Sequence, residues 1–142
     1  MTPVDDVAAV PPSLVGEIDD EPTVEPAGSE EFRASGWRFI RGDADRSGLR
    51  AVFRDRAGHL SIEGATVVVR FDDDAGDQQI DEVLRRHHLA VRRPMRFVPK
   101  GFQVVFEGRP AKGQLMRISE ELEKLDCVRY ADPDFVEEIG QR

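Results

Sequence analysis

The sequence predicts an α+β fold: a four-stranded antiparallel sheet with two helices on one face, a short β lead-in before it, and a disordered acidic tail before that. Three observations carry the prediction. Residues 66–71, Thr-Val-Val-Val-Arg-Phe, have the β-branched and aromatic composition of a strand. Two later segments repeat apolar residues at helical spacing, one through Ile80, Val83, Leu84 and His87, the other through Leu115, Ile118, Leu122 and Leu125. Between and after them lie short apolar runs bounded by turn residues, which completes the order β-α-β-β-α-β, a ferredoxin-like split βαβ.

The first element in order is residues 1–34. Five of the nine prolines fall in the first 26 residues, and residues 1–31 hold nine acids and no Lys or Arg. Such a segment buries too little apolar surface to offset its ordering entropy, so it is expected to be a disordered tail. Residues 35–64 are expected to form a β-hairpin lead-in. Trp37 to Ile40, Leu49 to Arg54 and His59 to Ile62 read as short strands, with Gly42-Asp43 and Ala57-Gly58 as turns between them.

The ferredoxin-like domain is placed at residues 65–136. Thr66 to Phe71 is its first strand, and Asp72 to Gly76 leads to Asp77, expected to cap the first helix. Val91 to Val98 and Phe102 to Glu107 pair across Pro99-Lys100-Gly101. The second helix ends before Cys127, and Val128 to Ala131 is the last strand, stopped by Pro133. Residues 137–142 form an extended tail. Because side chains alternate along a strand, Val67, Val69 and Phe71 face the helices. Thr66, Val68 and Arg70 then lie on an outer face that no helix is left to cover.

The chain of 142 residues carries a formal charge of −8, but removing the first 31 residues leaves 19 acids against 20 bases. Its acidity therefore belongs to the N-terminal segment. Cys127 is the only cysteine, which excludes an internal disulfide, and it reads as a small core hydrophobe. Asp5 and Asp6 interrupt the N-terminal apolar run, against a secretory signal, and no stretch approaches the ~20 apolar residues of a membrane span. The chain is expected to be cytoplasmic.

Chemistry-bearing patterns are sparse. None of His59, His87 and His88 stands in a nucleophile motif, and phosphate-cradling glycine loops are absent from the sequence. Adjacent His87 and His88 point about 100° apart on a helix, which suits a cation at a helix C-terminus better than a metal. Asp72-Asp73-Asp74 reads as a solvated loop feeding a helix. Arg85, Arg86, Arg92, Arg93, Arg96 and Lys100 form a basic cluster, but Phe102 to Phe106 lacks the aromatic pattern of an RNA-binding sheet. The expectation is a binding domain, not an enzyme, with no cofactor, no metal, no nucleic acid and no membrane.

Residues 122–136, Leu-Glu-Lys-Leu-Asp-Cys-Val-Arg-Tyr-Ala-Asp-Pro-Asp-Phe-Val, add a resemblance. Together with the strand Val67 to Phe71 and the helix from Asp77 to His88, they resemble the propeptide of subtilisin-like serine proteases, of the type preceding fervidolysin-like enzymes. The family closes on a consensus like LxxLxxVxYAEPDF, from which this chain departs at Asp132. The resemblance implies a folding chaperone and competitive inhibitor that lays its open sheet face on the protease and runs its C-terminal segment through the cleft as a product-like strand. On that basis the protease-binding residues are Thr66, Val68, Arg70, Gln103, Val105, Tyr130, Pro133, Phe135, Val136 and the tail Glu137, Glu138, Ile139, Gly140, Gln141 and Arg142. With Arg142 before the scissile position, Ile139 falls in an apolar subsite and Gly140 permits close backbone approach. No catalytic domain follows in this chain, so the expected partner is a protease in trans or the other piece of a split precursor. Two further readings stand beside it: an adaptor that recruits its partner through the acidic tail and open sheet, and a small-molecule regulatory domain of the ACT type.

Overall fold

The computed structural model describes residues 1–18, 20–42 and 47–137. It overturns the four-stranded expectation. The fold is α+β, but its antiparallel sheet has eight strands, and the N-terminal segment expected to be disordered supplies two of them. The chain divides into two compact units, one made of residues 1–63, 110–113 and 135–142, the other of residues 64–109 and 114–134.

In the first unit, β1 (Thr2–Val10) lies between β3 (Arg38–Arg41) and β4 (Arg50–Arg54), and β2 (Thr23–Val24) pairs with the far edge of β3. The acids and prolines that suggest disorder sit where the strand tolerates them. The pairing of β1 with β4 shifts register between Pro3 and Ala8, and Asp6 sits in that irregularity at φ 62, a left-handed conformation that Asp accepts better than most residues. Pro11 and Pro12 follow the strand and open a 3-10 helix (Pro12–Ile18), where a missing N–H costs little. The apolar remainder, Ala8, Ala9 and Val10, is completely buried.

Alternation then sends those side chains to two cores. Ala8, Val10 and Ile40 pack with Leu49 and with Ile18, Leu14 and Val15 of the 3-10 helix. Ala9, Phe39, Val52, Leu60 and Ile62 pack with Phe32 of α1 (Glu30–Ala34). Both faces of this part of the sheet are thus covered, and each fully buried Val, Ile, Leu or Phe contributes about 1.5–3 kcal/mol.

The strand His59 to Ile62 and the strand Thr66 to Phe71 are one element, β5 (Leu60–Phe71). Its start pairs with β4 through Val52–Ile62, Phe53–Ser61 and Arg54–Leu60. The turn between them is closed by Asp55, whose carboxyl accepts the His59 N–H at 2.9 Å. That backbone bond, helped by the nearby imidazole, holds the Asp55 carboxyl below its ordinary value.

In the second unit, the rest of β5 pairs with β7 (Gly101–Phe106), and β7 pairs with β6 (Leu89–Pro94). On β5's other side lies β8 (Val128–Glu137). Helices α2 (Asp77–Arg86) and α3 (Gln114–Glu123) pack on one face, where Ile80, Leu84, Leu115, Ile118 and Leu122 meet Val67, Val69, Phe71 and Val104. Asp77 is the first residue of α2, not its cap; Gly76 occupies the cap position without a side-chain bond. Its charge still lies in the first turn, where the helix dipole favours an acid. The first strand of the expected hairpin pair, placed at Val91 to Val98, instead runs from Leu89 to Pro94, and Met95 to Lys100 form the connection. Pro133 does not stop the last strand, which runs on to Glu137. Proline is tolerated there because, among the described residues, β8 pairs only with β5, leaving its other edge without a ladder to break.

Candidate functional site

The face of β5 and β7 opposite the helices is the site that the sequence singles out. Register places Thr66 opposite Val105, Val68 opposite Gln103 and Arg70 opposite Gly101, so these side chains share one surface. Ala90, opposite Val105, and Arg93, opposite Gln103, extend it onto β6, and Arg93 Nε donates to Gln103 Oε1 at 3.0 Å. Thr66 is buried, at 7% exposure, whereas Val68, Arg70, Gln103 and Val105 are half-buried. Neither α2 nor α3 covers this surface, because the apolar residues of both helices pack with Val67, Val69 and Val104 on the opposite face.

Charge gathers at the end of β5. Arg129 Nε donates to Asp72 at 3.2 Å, its other nitrogen lies 3.5 Å from Asp73, and Arg70 stands 3.9 Å from Asp73. The acidic run is therefore matched by arginines from two strands. All these side chains are partly solvated, and exposed pairs of this kind contribute about 0–1 kcal/mol each. The Arg70 Nε is buried and has no hydrogen-bond partner among the described residues.

The remaining predicted site residues do not gather in one place. Tyr130 and Pro133 are half-buried positions of β8. Phe135 and Val136 belong to the first unit: Phe135 meets Phe53 edge-on, ring centres 5.7 Å apart, and Val136 packs against the cluster around Phe39 and Ile62. These two side chains are committed to their own chain, although nothing in the spacing of residues 128–136 signals it. Glu137 ends β8, and Glu138, Ile139, Gly140, Gln141 and Arg142 lie outside the described residues.

The histidines occupy structural positions. His87 caps the C-terminus of α2, its Nδ1 lying 2.8 Å from the Val83 carbonyl, and His88 follows at φ 57, the left-handed geometry that ends many helices. A shallow cleft of about 270 Å³ brings His87 and Cys127 to one lining with Glu82 and Asp126. No group of three or more His, Cys, Asp or Glu among the described residues is arranged to hold a metal ion. No helix among them is long and apolar enough to cross a membrane.

Sequence reasoning missed the most exposed large apolar side chain among the described residues. Phe97, assigned to a strand, stands 97% exposed in the β6–β7 connection, and Val91 on β6 is 45% exposed. The signal was the surrounding charge: no acid lies between Glu82 and Glu107. Comparison with family models, with curated proteins and with solved structures finds no match for this chain.

Proposed function

We propose that this chain is a protein-binding domain that docks on a subtilisin-like serine protease as its inhibitor and folding chaperone. The observation that carries the reading is the half-exposed surface of Val68, Gln103 and Val105, on the face of β5 and β7 away from α2 and α3. A sheet surface with an apolar centre and an Arg–Gln rim has the composition of a protein interface, apolar inside and polar around. The resemblance of the closing motif, Tyr130 to Phe135, to that of subtilisin-like propeptides supports the partner class. In this reading the sheet surface supplies most of the affinity, and residues 138–142 enter the protease cleft as an extended strand pairing backbone to backbone.

The test is an inhibition titration of a purified subtilisin-like protease with the full chain. Competitive inhibition is expected. Val68→Asp should raise the inhibition constant at least about tenfold, equivalent to ~1.4 kcal/mol, by placing a charge in the apolar centre. Because Val68 is only half-buried, the thermal midpoint should barely move. Removing Ile139 to Arg142 should also raise the constant while leaving the fold intact. Digestion of the chain without inhibition, or inhibition indifferent to both changes, would overturn the reading.

A further inference from the structure

The β6–β7 hairpin carries a second surface, distinct from the sheet face. Six bases, Arg85, Arg86, Arg92, Arg93, Arg96 and Lys100, occupy the acid-free stretch between Glu82 and Glu107. Three of them have partners: Arg86 pairs with Glu82 at 2.9 Å, Lys100 with Asp77 at 3.8 Å, and Arg93 bonds Gln103. Arg92 and Arg96 are exposed and meet no carboxylate among the described residues. At the tip, Met95 N–H donates to Gly101 O at 2.9 Å, and Val98 folds back so closely that a Cβ on Gly101 would lie 2.6 Å from its Cγ1. Phe97 alone among the tip's apolar side chains projects fully into solvent, and it does so at φ 62, a conformation that suits glycine and strains a bulky residue. The sequence thus holds an exposed ring in an unfavourable backbone geometry, beside two uncompensated guanidinium groups.

We propose that this tip is a docking element for an acidic surface of a partner protein, with Phe97 as the apolar anchor and Arg92 and Arg96 as its charged flank. Aromatic rings and arginine are the side chains that most often carry interface energy. Strand addition is not the mode: Pro94 lacks an N–H and the ladder shifts register around Arg92, so the β6 edge is a poor template. Single-stranded nucleic acid is disfavoured because successive bases need successive rings, and Phe97 stands alone, Phe102 and Phe106 being packed into the helix-side core. A chain of net charge −8 opposes every anionic partner at long range, most strongly the dense, extended charge of polyphosphates and anionic bilayers. A carboxylate patch in direct contact depends mainly on the local charge of the hairpin.

The proposal rests on the hairpin alone and stands or falls apart from the protease reading. Its test is fluorescence anisotropy of a labelled acidic peptide of Glu and Asp with interspersed Leu, titrated with the full chain at low salt. Saturable binding is expected. Phe97→Gly, which relaxes the backbone and removes no buried contact, should weaken it at least tenfold without lowering the thermal midpoint. The double variant Arg92→Glu with Arg96→Glu should abolish it. Absence of peptide binding, or undiminished binding by Phe97→Gly, would overturn the proposal. So would tighter binding of an oligothymidylate or of phosphatidylserine vesicles than of the peptide.

Discussion

Glu63 is the residue whose role departs furthest from its appearance in the sequence. In the run Ser61-Ile62-Glu63-Gly64 it reads as a polar residue at a loop, yet it is 2% exposed. Its Oε1 accepts the N–H of Ala51 at 3.0 Å and of Gly113 at 2.9 Å, and its carbonyl accepts from Arg50 at 3.2 Å. One carboxyl therefore ties β4 to the connection that contains residues 110–113. A buried donor that loses its acceptor costs its full desolvation, more when the acceptor was a carboxyl group. Glu63→Ala should lower unfolding stability by about 2–4 kcal/mol, read from the urea midpoint followed by Trp37 fluorescence. Glu63→Gln retains an acceptor oxygen and should cost less than half as much. Equal losses for the two variants would mean that one acceptor oxygen of the right reach is not enough and that the intact carboxyl group is required at the position. No pattern of spacing announces such a residue, because its partners are 12 and 50 positions away.

At the scale of elements, legibility followed the range of the interactions. The helices were readable because Ile80 and Leu84, or Leu115, Ile118 and Leu122, record their burial within a few residues of one another. The continuity of β5 was not, since Gly64 looks like a break between two strands. The structure gives that glycine another purpose. A Cβ there would collide with the carboxyl and backbone of Asp134 on β8, and the same Asp134 Oδ1 accepts the Thr66 N–H at 2.9 Å. Gly64 thus lets β8 approach β5 closely enough for a side chain to complete a backbone bond. Gly64→Ala should cost about 1–3 kcal/mol, because the obstructing atoms include backbone that cannot swing aside. Asp134→Ala removes that acceptor and much of the obstruction, so the double variant should lose less than the sum of the single losses in a double-mutant cycle. Strict additivity would separate the glycine from the aspartate. The alternation in residues 66–71 that separates Val67 and Val69 from Val68 and Arg70 was legible for the same local reason that the helices were, whereas the register opposite was not. The packing of Phe135 and Val136 was not, because it depends on partners such as Phe53 that are far away in sequence.

At the scale of the whole molecule, the decisive difference concerns residues 1–34. Their charge and prolines argue for a tail, while the buried ones among the described residues are only Ala8, Ala9, Val10, Pro11, Ile18, Ser29 and Phe32, too few for a local pattern to stand out. What orders them is long-range pairing: Ala9 lies opposite Phe39 on one side and Arg50 on the other, so β1 is an internal strand of its sheet. Deleting an internal strand differs in kind from trimming a tail. It strips the ladders of β3 and β4 and removes Phe32, Ile18, Leu14 and Val15 from the two cores that cover them. The chain has one Trp and one Tyr, and they fall in different units, Trp37 in the first and Tyr130 in the second. A chain beginning at residue 35 should therefore show Trp37 emission shifted toward that of an indole in water and lose slow amide exchange in β3 and β4. Slow exchange should persist in α2, α3 and β7, whose core draws on none of the deleted residues. Unchanged Trp37 emission together with full amide protection in β3 and β4 would return residues 1–34 to the status of a dispensable tail.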